Sequence, residues 1–275
     1  MDMFIDCLHR KPELRDYNSP EKAIINNTFK IIPYMDMWIS SIIEGYIYEN
    51  VDKVDYEGHR EKYIERYGKK EGEYKGWYKN GQLSCHSYYK EGKREGECKN
   101  WWYNGQLWHQ YYYKEGKEEG EYKSWYKNGQ LSIVRYYKKG KKDGEYKGWW
   151  NNGQLMFQSY YKEGKEEGEH KVWYSGEDGQ SKGQLKCQEY YKDGKKDGEH
   201  KVWYKNGQLS SKYYYKEGNI EGESKWWHSN GQLGNQSYYK EGKLGKFKIW
   251  NEEGKLIEYK IYTGDEVIED LLTLK

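Results

Sequence analysis

From residue 72 to residue 250 the apolar positions follow two superimposed periods. The short one lies within runs such as 73–78 (EYKGWY) and 82–89 (QLSCHSYY), where aromatic and polar residues mix without i, i+3, i+4 spacing and Gly-containing turns bound each run. Such runs read as strands, and helix is excluded from the tract. The long period is 24 residues: Gly-Gln-Leu begins at Gly81, Gly105, Gly129, Gly153, Gly183, Gly207 and Gly231. One step is 30 residues, where SGEDGQSK (175–182) replaces the usual Lys-Asn. A period of this size marks an array of supersecondary units, each touching only its neighbours.

One unit, residues 72–96, predicts two antiparallel strands and two tight turns. Asn-Gly tolerates positive φ at both central positions of a hairpin turn. With Asn80-Gly81 as a two-residue loop, Tyr78 should pair with Leu83, Gly76 with Cys85 and Tyr74 with Ser87. Lys-Glu-Gly-Lys (90–93) then turns the chain into the next unit. Two strands per unit at a spacing of about 4.8 Å, over seven or eight units, predict a meander roughly 70–80 Å long.

The two ends differ in kind. Ser19-Pro20-Glu21 reads as a helix start, and Met35, Trp38, Ile39, Ile42, Ile43, Tyr46 and Ile47 follow helical spacing. Val267, Ile268, Leu271 and Leu272 suit a short closing helix. The expected fold is therefore mostly β. It has a partly helical N-terminal cap over 1–62, the hairpin array over 63–262 and a C-terminal helix over 263–275. The N-terminal helix reads first as a cap on the array, since solenoid ends need one, and second as a partner-binding helix.

Comparison of the copies separates two kinds of position. Counting from the glycine that opens each unit, the third residue onward is always Lys and the fifth always Trp, as in Lys75/Trp77 and Lys123/Trp125. On one strand face the Lys stem can lie along the ring. The four residues after each Gln-Leu vary instead. They supply the candidate partner-binding set Trp108, His109, Tyr111, Ile133, Arg135, Met156 and Phe157. Trp, Tyr and Arg are the types enriched at interface hot spots, and simple drift between copies is the alternative.

Composition narrows the function. Tyr (33) and Trp (13) far outnumber Phe (4), which favours a thin, half-exposed sheet over an aliphatic core. Lys plus Arg (47) nearly cancels Asp plus Glu (45), so no long-range field draws in nucleic acid. The most apolar run, MWISSIIEGYIY, is too short for a membrane span and contains Glu44. MDMFIDCLHR is not a signal peptide, and four cysteines are no disulfide framework, so an intracellular location is expected. With Glu91-Gly92 as a two-residue loop, Cys85 and Cys98 should face each other, and inside a cell they should stay reduced. His170 and His200 fill the same slot of neighbouring units, roughly 9–10 Å apart, too far to share a metal ion. No catalytic, cofactor-binding or phosphate-binding motif stands out. A non-enzymatic chain without a cofactor is the expectation.

The pattern W-Y-x-N-G-Q-L-x(4)-Y-Y-K-x-G-K-x-x-G-E over about 63–262 resembles the MORN-repeat variant, the kind found in YwqK-type antitoxins. Similar long tracts occur in proteins of large DNA viruses that infect amoebae. The resemblance implies a hairpin meander that associates with other protein chains, its own copies included, and no catalytic residue. It implies a scaffold, with a structural or assembly part in a virus particle as one setting. Gln-Leu after the turn glycine and the doubled Tyr depart from the usual MORN pattern, so membrane association is not expected. Two other readings stay open. One is an aromatic solenoid binding choline or glycans, since these hairpins also resemble the repeats of cell-wall proteins. The other is a toxin-neutralising, YwqK-like protein.

Overall fold

The computed structural model describes residues 48–176, 183–263 and 266–271. These residues form a single antiparallel sheet in which each strand pairs with its neighbours along the chain. Tyr48–Val54 pairs with Arg60–Arg66, that strand with Lys69–Trp77, and that in turn with Leu83–Lys90. The pattern continues to Leu256–Thr263 and a last strand, Glu266–Asp270.

Two expectations about the ends need correction. No helix occurs among the described residues, which are all-β. The expected C-terminal helix is replaced by Glu266–Asp270, with Val267 opposite Tyr262. So short a helix carries the full nucleation cost, whereas the open edge of Leu256–Thr263 offers backbone partners to a β-branched Val-Ile pair. At the other end, 48–62 belongs to the sheet and not to a cap. This first hairpin escaped the repeat count because Gly58 precedes Gly81 by 23 residues and is followed by His-Arg, not Gln-Leu. It lacks the bulge that follows the turn in later units, hence the missing residue. The helix expected over 35–47 lies outside the described residues.

The register agrees with the sequence at Gly76–Cys85 and Tyr74–Ser87 but not at the turn. Leu83 pairs with Trp77, because Ser84 is an extra, bulged residue. Only Gly81 has positive φ (82°) in that turn, and Gly81 N–H donates to Tyr78 O at 2.8 Å. Positive φ at two successive residues belongs to the other turn, at Glu91 (51°) and Gly92 (79°). A further irregularity beyond that turn moves Cys85 opposite Asn100 and Cys98 opposite Tyr111. The two cysteines therefore do not face each other. Both are free thiols.

The Asn of each first turn has a different task from the one its φ tolerance suggested. Its side chain caps its own turn, as when Gln130 N–H donates to Asn128 Oδ1 at 3.0 Å. It also donates to the next turn along the edge: Asn80 to Tyr103 O, Asn104 to Lys127 O, Asn128 to Asn151 O, at 3.0–3.3 Å. The opposite edge is stitched backwards by acids. Glu71 accepts from Glu91 N–H at 2.8 Å and Glu119 from Lys139 N–H at 2.8 Å. Both edges thus hold unit to unit through side chains as well as through the ladder.

A single layer leaves little interior. Among the described residues the buried apolar side chains are Tyr63 and Cys98, and most other buried positions are serines such as Ser87, Ser124, Ser159 and Ser237. Small residues sit where large rings from adjacent strands lean over them. Neighbour packing within the sheet takes the place of a core.

Candidate interaction face

The two faces differ in chemistry. On one, each unit places a Glu beside the invariant Lys two residues on, with the partner strand contributing further donors. Glu97 accepts from Lys99 at 2.7 Å, from Tyr112 at 3.0 Å and from Gln110. Glu223 does the same with Lys225, Tyr238 and Gln236. The invariant Lys, read from sequence as lying along the Trp ring, has its ammonium held by this carboxylate. The hydrogen bond from Lys holds the carboxyls of Glu73, Glu97 and Glu223 below their ordinary value. This face neutralises itself.

The other face carries the candidate residues, while the third variable position of a unit, such as Gln110 or Gln236, turns to the polar face. Two rows run across the strands. In one, neighbouring partners are Asn100, His109, Ser124, Ile133, Gly148 and Phe157. In the other, Cys98, Tyr111, Tyr122, Arg135 and Tyr146 follow one another. His109 and Ile133 flank Ser124, Tyr111 and Arg135 flank Tyr122, and Ile133 and Phe157 flank Gly148. Trp108 occupies the bulge and stacks on Trp102 (4.4 Å) and His109 (4.1 Å), while Met156 fills the equivalent bulge position two hairpins on. All seven sequence-derived candidates thus fall in one patch between Leu107–Lys114 and Leu155–Lys162.

They are fitted to their neighbours. Tyr111 stacks on Tyr122 at 5.8 Å and accepts from Asn100 Nδ2 at 3.0 Å. The Arg135 guanidinium lies 4.0 Å over Tyr122, and its buried Nε has no hydrogen-bond partner. Phe157 meets Tyr146 edge-on at 4.7 Å and covers Gly148, where a Cβ would stand 2.3 Å from the ring. Tyr122, Tyr146 and Gly148 completed this patch unforeseen, because the candidates were drawn only from the four positions after each Gln-Leu.

A second unforeseen cluster lies farther along the same face. Glu189, 8% exposed, accepts from Tyr191 at 2.8 Å and contacts Lys196 Nζ and His200 Nδ1, each at 2.7 Å. Burial would raise its carboxyl, but the bonds from His200, Lys196 and Tyr191 outweigh burial and hold it at about 2. Cys187 stands two residues before it, and burial pushes that thiol up to about 11. His170 is opposite Glu189 on the other neighbouring strand. Of the two histidines that sequence set apart, His200 bonds to Glu189, while His170 has Glu166 Oε1 at 3.9 Å.

Among the described residues the depressions are shallow. One of about 270 Å³ is lined by Lys70, Tyr74, Cys85, Tyr89, Arg94 and Tyr111, among others. Another, of about 180 Å³, is lined by Glu145, Gln158, Glu169 and Lys171 with their neighbours. No described helix is long and apolar enough to cross a membrane.

An array of antiparallel hairpins stacked in chain order defines a β-repeat protein. Six of its units, residues 70–91, 94–115, 118–139, 142–163, 196–217 and 220–241, match the MORN repeat variant. The stretch skipped between 163 and 196 contains the lengthened unit. No curated protein matches the chain. Among solved structures the chain is similar to one titled "Crystal Structure of TcdB2-TccC3", at 9% identity and a TM-score of 0.15. That match covers 80% of this chain and 15% of the other, so the chain spans about 15% of that structure's length and the likeness carries nothing further.

Proposed function

We propose that the protein is a non-enzymatic repeat scaffold that binds other protein chains, its own copies included, through the patch from Trp108 to Phe157. One observation carries this reading. Arg135 sits amid stacked rings with a buried, unpartnered Nε, and a buried donor without a partner is costly. A carbonyl or carboxylate from a docked chain would satisfy it, while the surrounding aromatics supply contact area. The opposite face offers less, since its charges are already paired. Assembly of a virus particle is the setting suggested by the likeness to viral tracts, and a long rail of equivalent units suits it.

His109 and Gln110 are adjacent in sequence and point to opposite faces, which gives a direct test. A photo-crosslinking residue at 109 should capture protein partners, and one at 110 should not. Arg135→Met, which keeps the stem but removes the donor, should weaken that capture about tenfold, an effect of about 1.4 kcal/mol. Equal capture from both faces, or none from either, refutes the proposal.

A further inference from the structure

We propose that Cys187, Glu189 and His200 bind one divalent transition-metal ion of borderline softness, zinc being the natural choice. Their ligand atoms all lie within 4.8 Å of one another. Cys187 and Glu189 are two residues apart on Leu185–Lys192, and so share a face. His200 comes from the adjoining strand Gly198–Trp203, where Cys187 pairs with Val202. Among the described residues no other trio of His, Cys and carboxylate comes so close.

The donor set selects the metal. A thiolate, an imidazole and a carboxylate together suit zinc or cobalt, whereas magnesium and calcium prefer oxygen alone. In a tetrahedral zinc site with bonds of about 2.0–2.3 Å, ligand atoms stand about 3.5 Å apart. The most widely spaced donors, within 4.8 Å, need to close by roughly an ångström, while His200 Nδ1 and Glu189 Oε2, at 2.7 Å, need to open by somewhat less. A fourth position stays open to water or to a group from a bound partner.

Binding rearranges three contacts. Cys187 gives its proton to solvent and becomes the thiolate ligand. His200 Nδ1 turns from Glu189 to the metal. Lys196, which shares Glu189 Oε2 with His200, must withdraw, and the Tyr215 ring 5.3 Å from its ammonium gives it a place to rest. His170 flanks Glu189 on the far side with a buried Nδ1 that has no hydrogen-bond partner. The intact cluster is therefore not fully satisfied by the chain itself. Equivalent positions in other units hold Ser87, Tyr111, Arg135, Ser159, Tyr213 or Ser237 in place of Glu189, so the site belongs to one place in the array.

The test uses the full chain, stripped with chelator and titrated with Zn²⁺ and Co²⁺ alone. One equivalent of cobalt should bind and show a thiolate charge-transfer band. Cys187→Ser should abolish the band, Cys85→Ser and Cys98→Ser should retain it, and His200→Gln should weaken binding at least tenfold. Lys196→Met, which removes the competing cation, should tighten binding. Circular dichroism checks that each variant keeps its sheet. Should Cys187→Ser unfold, alkylation of the unaltered chain reads the same point: saturating Zn²⁺ should protect Cys187. Failure to bind, a band that survives in folded Cys187→Ser, or a Cys187 still alkylated under Zn²⁺ overturns the proposal.

Discussion

The two faces of this sheet are built from the same strands by opposite rules. One repeats a single arrangement in unit after unit, a Glu held by Lys and by donors from the facing strand, as at Glu97 and Glu223. The other varies from unit to unit, and its irregular residues are matched to their neighbours, as Phe157 is to Gly148, Arg135 to Tyr122 and Glu189 to His200. Variation between copies is therefore no sign that a position is unconstrained. On the polar face constraint shows as sameness, and on the aromatic face it shows as correlated difference.

The strongest way to break this contrast is Gly148→Ala. The new Cβ would lie 2.3 Å from the Phe157 ring, and overpacking of that kind costs about 1–3 kcal/mol. Phe157→Ala in the same chain should recover much of the loss, since it removes the obstructing ring. On the opposite face of the same strand, Gln158→Ala should stay within about 0.5 kcal/mol. Urea unfolding of the four variants measures all three, and simple additivity of the double variant would refute the matching.

Next in size is the edge that both faces share. Asn128→Ala removes the cap on Gln130 N–H and the link to Asn151 O. Two exposed bonds of this kind should cost about 1 kcal/mol together. Lys139→Gly, at the other edge, should act in the opposite direction. Lys139 has φ of 52°, and relief of that strain should outweigh the added chain entropy by a few tenths of a kcal/mol. Equal signs for the two changes would mean that the turns do not differ as described.

The smallest effects belong to the polar face. Glu97→Gln should shift stability by less than about 1 kcal/mol, as for other exposed ion pairs. Its signature is pH dependence. The carboxyls of Glu73, Glu97 and Glu223 are depressed by their Lys partners, so their contribution is complete above the unfolded value of about 4.3. It is lost as pH falls through the depressed folded values. The protein should therefore unfold more readily at pH 3 than at pH 6, and Glu97→Gln should flatten that slope. A steeper slope in the variant would contradict the assignment.

Much of this architecture was legible in the 24-residue period, because a hairpin repeats its turn residues wherever it repeats its geometry. Gly76–Cys85 and Tyr74–Ser87 came from a two-residue loop that the turn does not form, and they hold because the extra residue Ser84 restores that register. The bulge itself was not legible, since an extra residue leaves no mark in a pattern that every full copy carries. Turn chemistry misled at Asn80: Asn-Gly is equally at home where only the glycine turns left-handed and the amide bonds elsewhere. The Val267–Ile268 pair misled as well, because so short a segment fits helix or strand until an open edge decides. The interaction patch was half visible. Varying residues pointed to it, but only the register showed that Tyr122, Tyr146 and Gly148 complete it. The Glu189 cluster was hidden because His170 shares the slot of His200 and Cys85 that of Cys187, and the single carboxylate that sets this unit apart carries no motif of its own.

The double stitching also has a mechanical meaning. A load pulling the chain ends apart meets no common core that must fail at once; it meets hairpins in series, each fastened to the next by an amide at one edge and an acid at the other. A 24-residue unit adds about 10 Å to the folded stack but about 80 Å when drawn out. Such a chain should lengthen in even steps under tension and shorten again when released. It would behave as a ratcheted spring, yielding link by link.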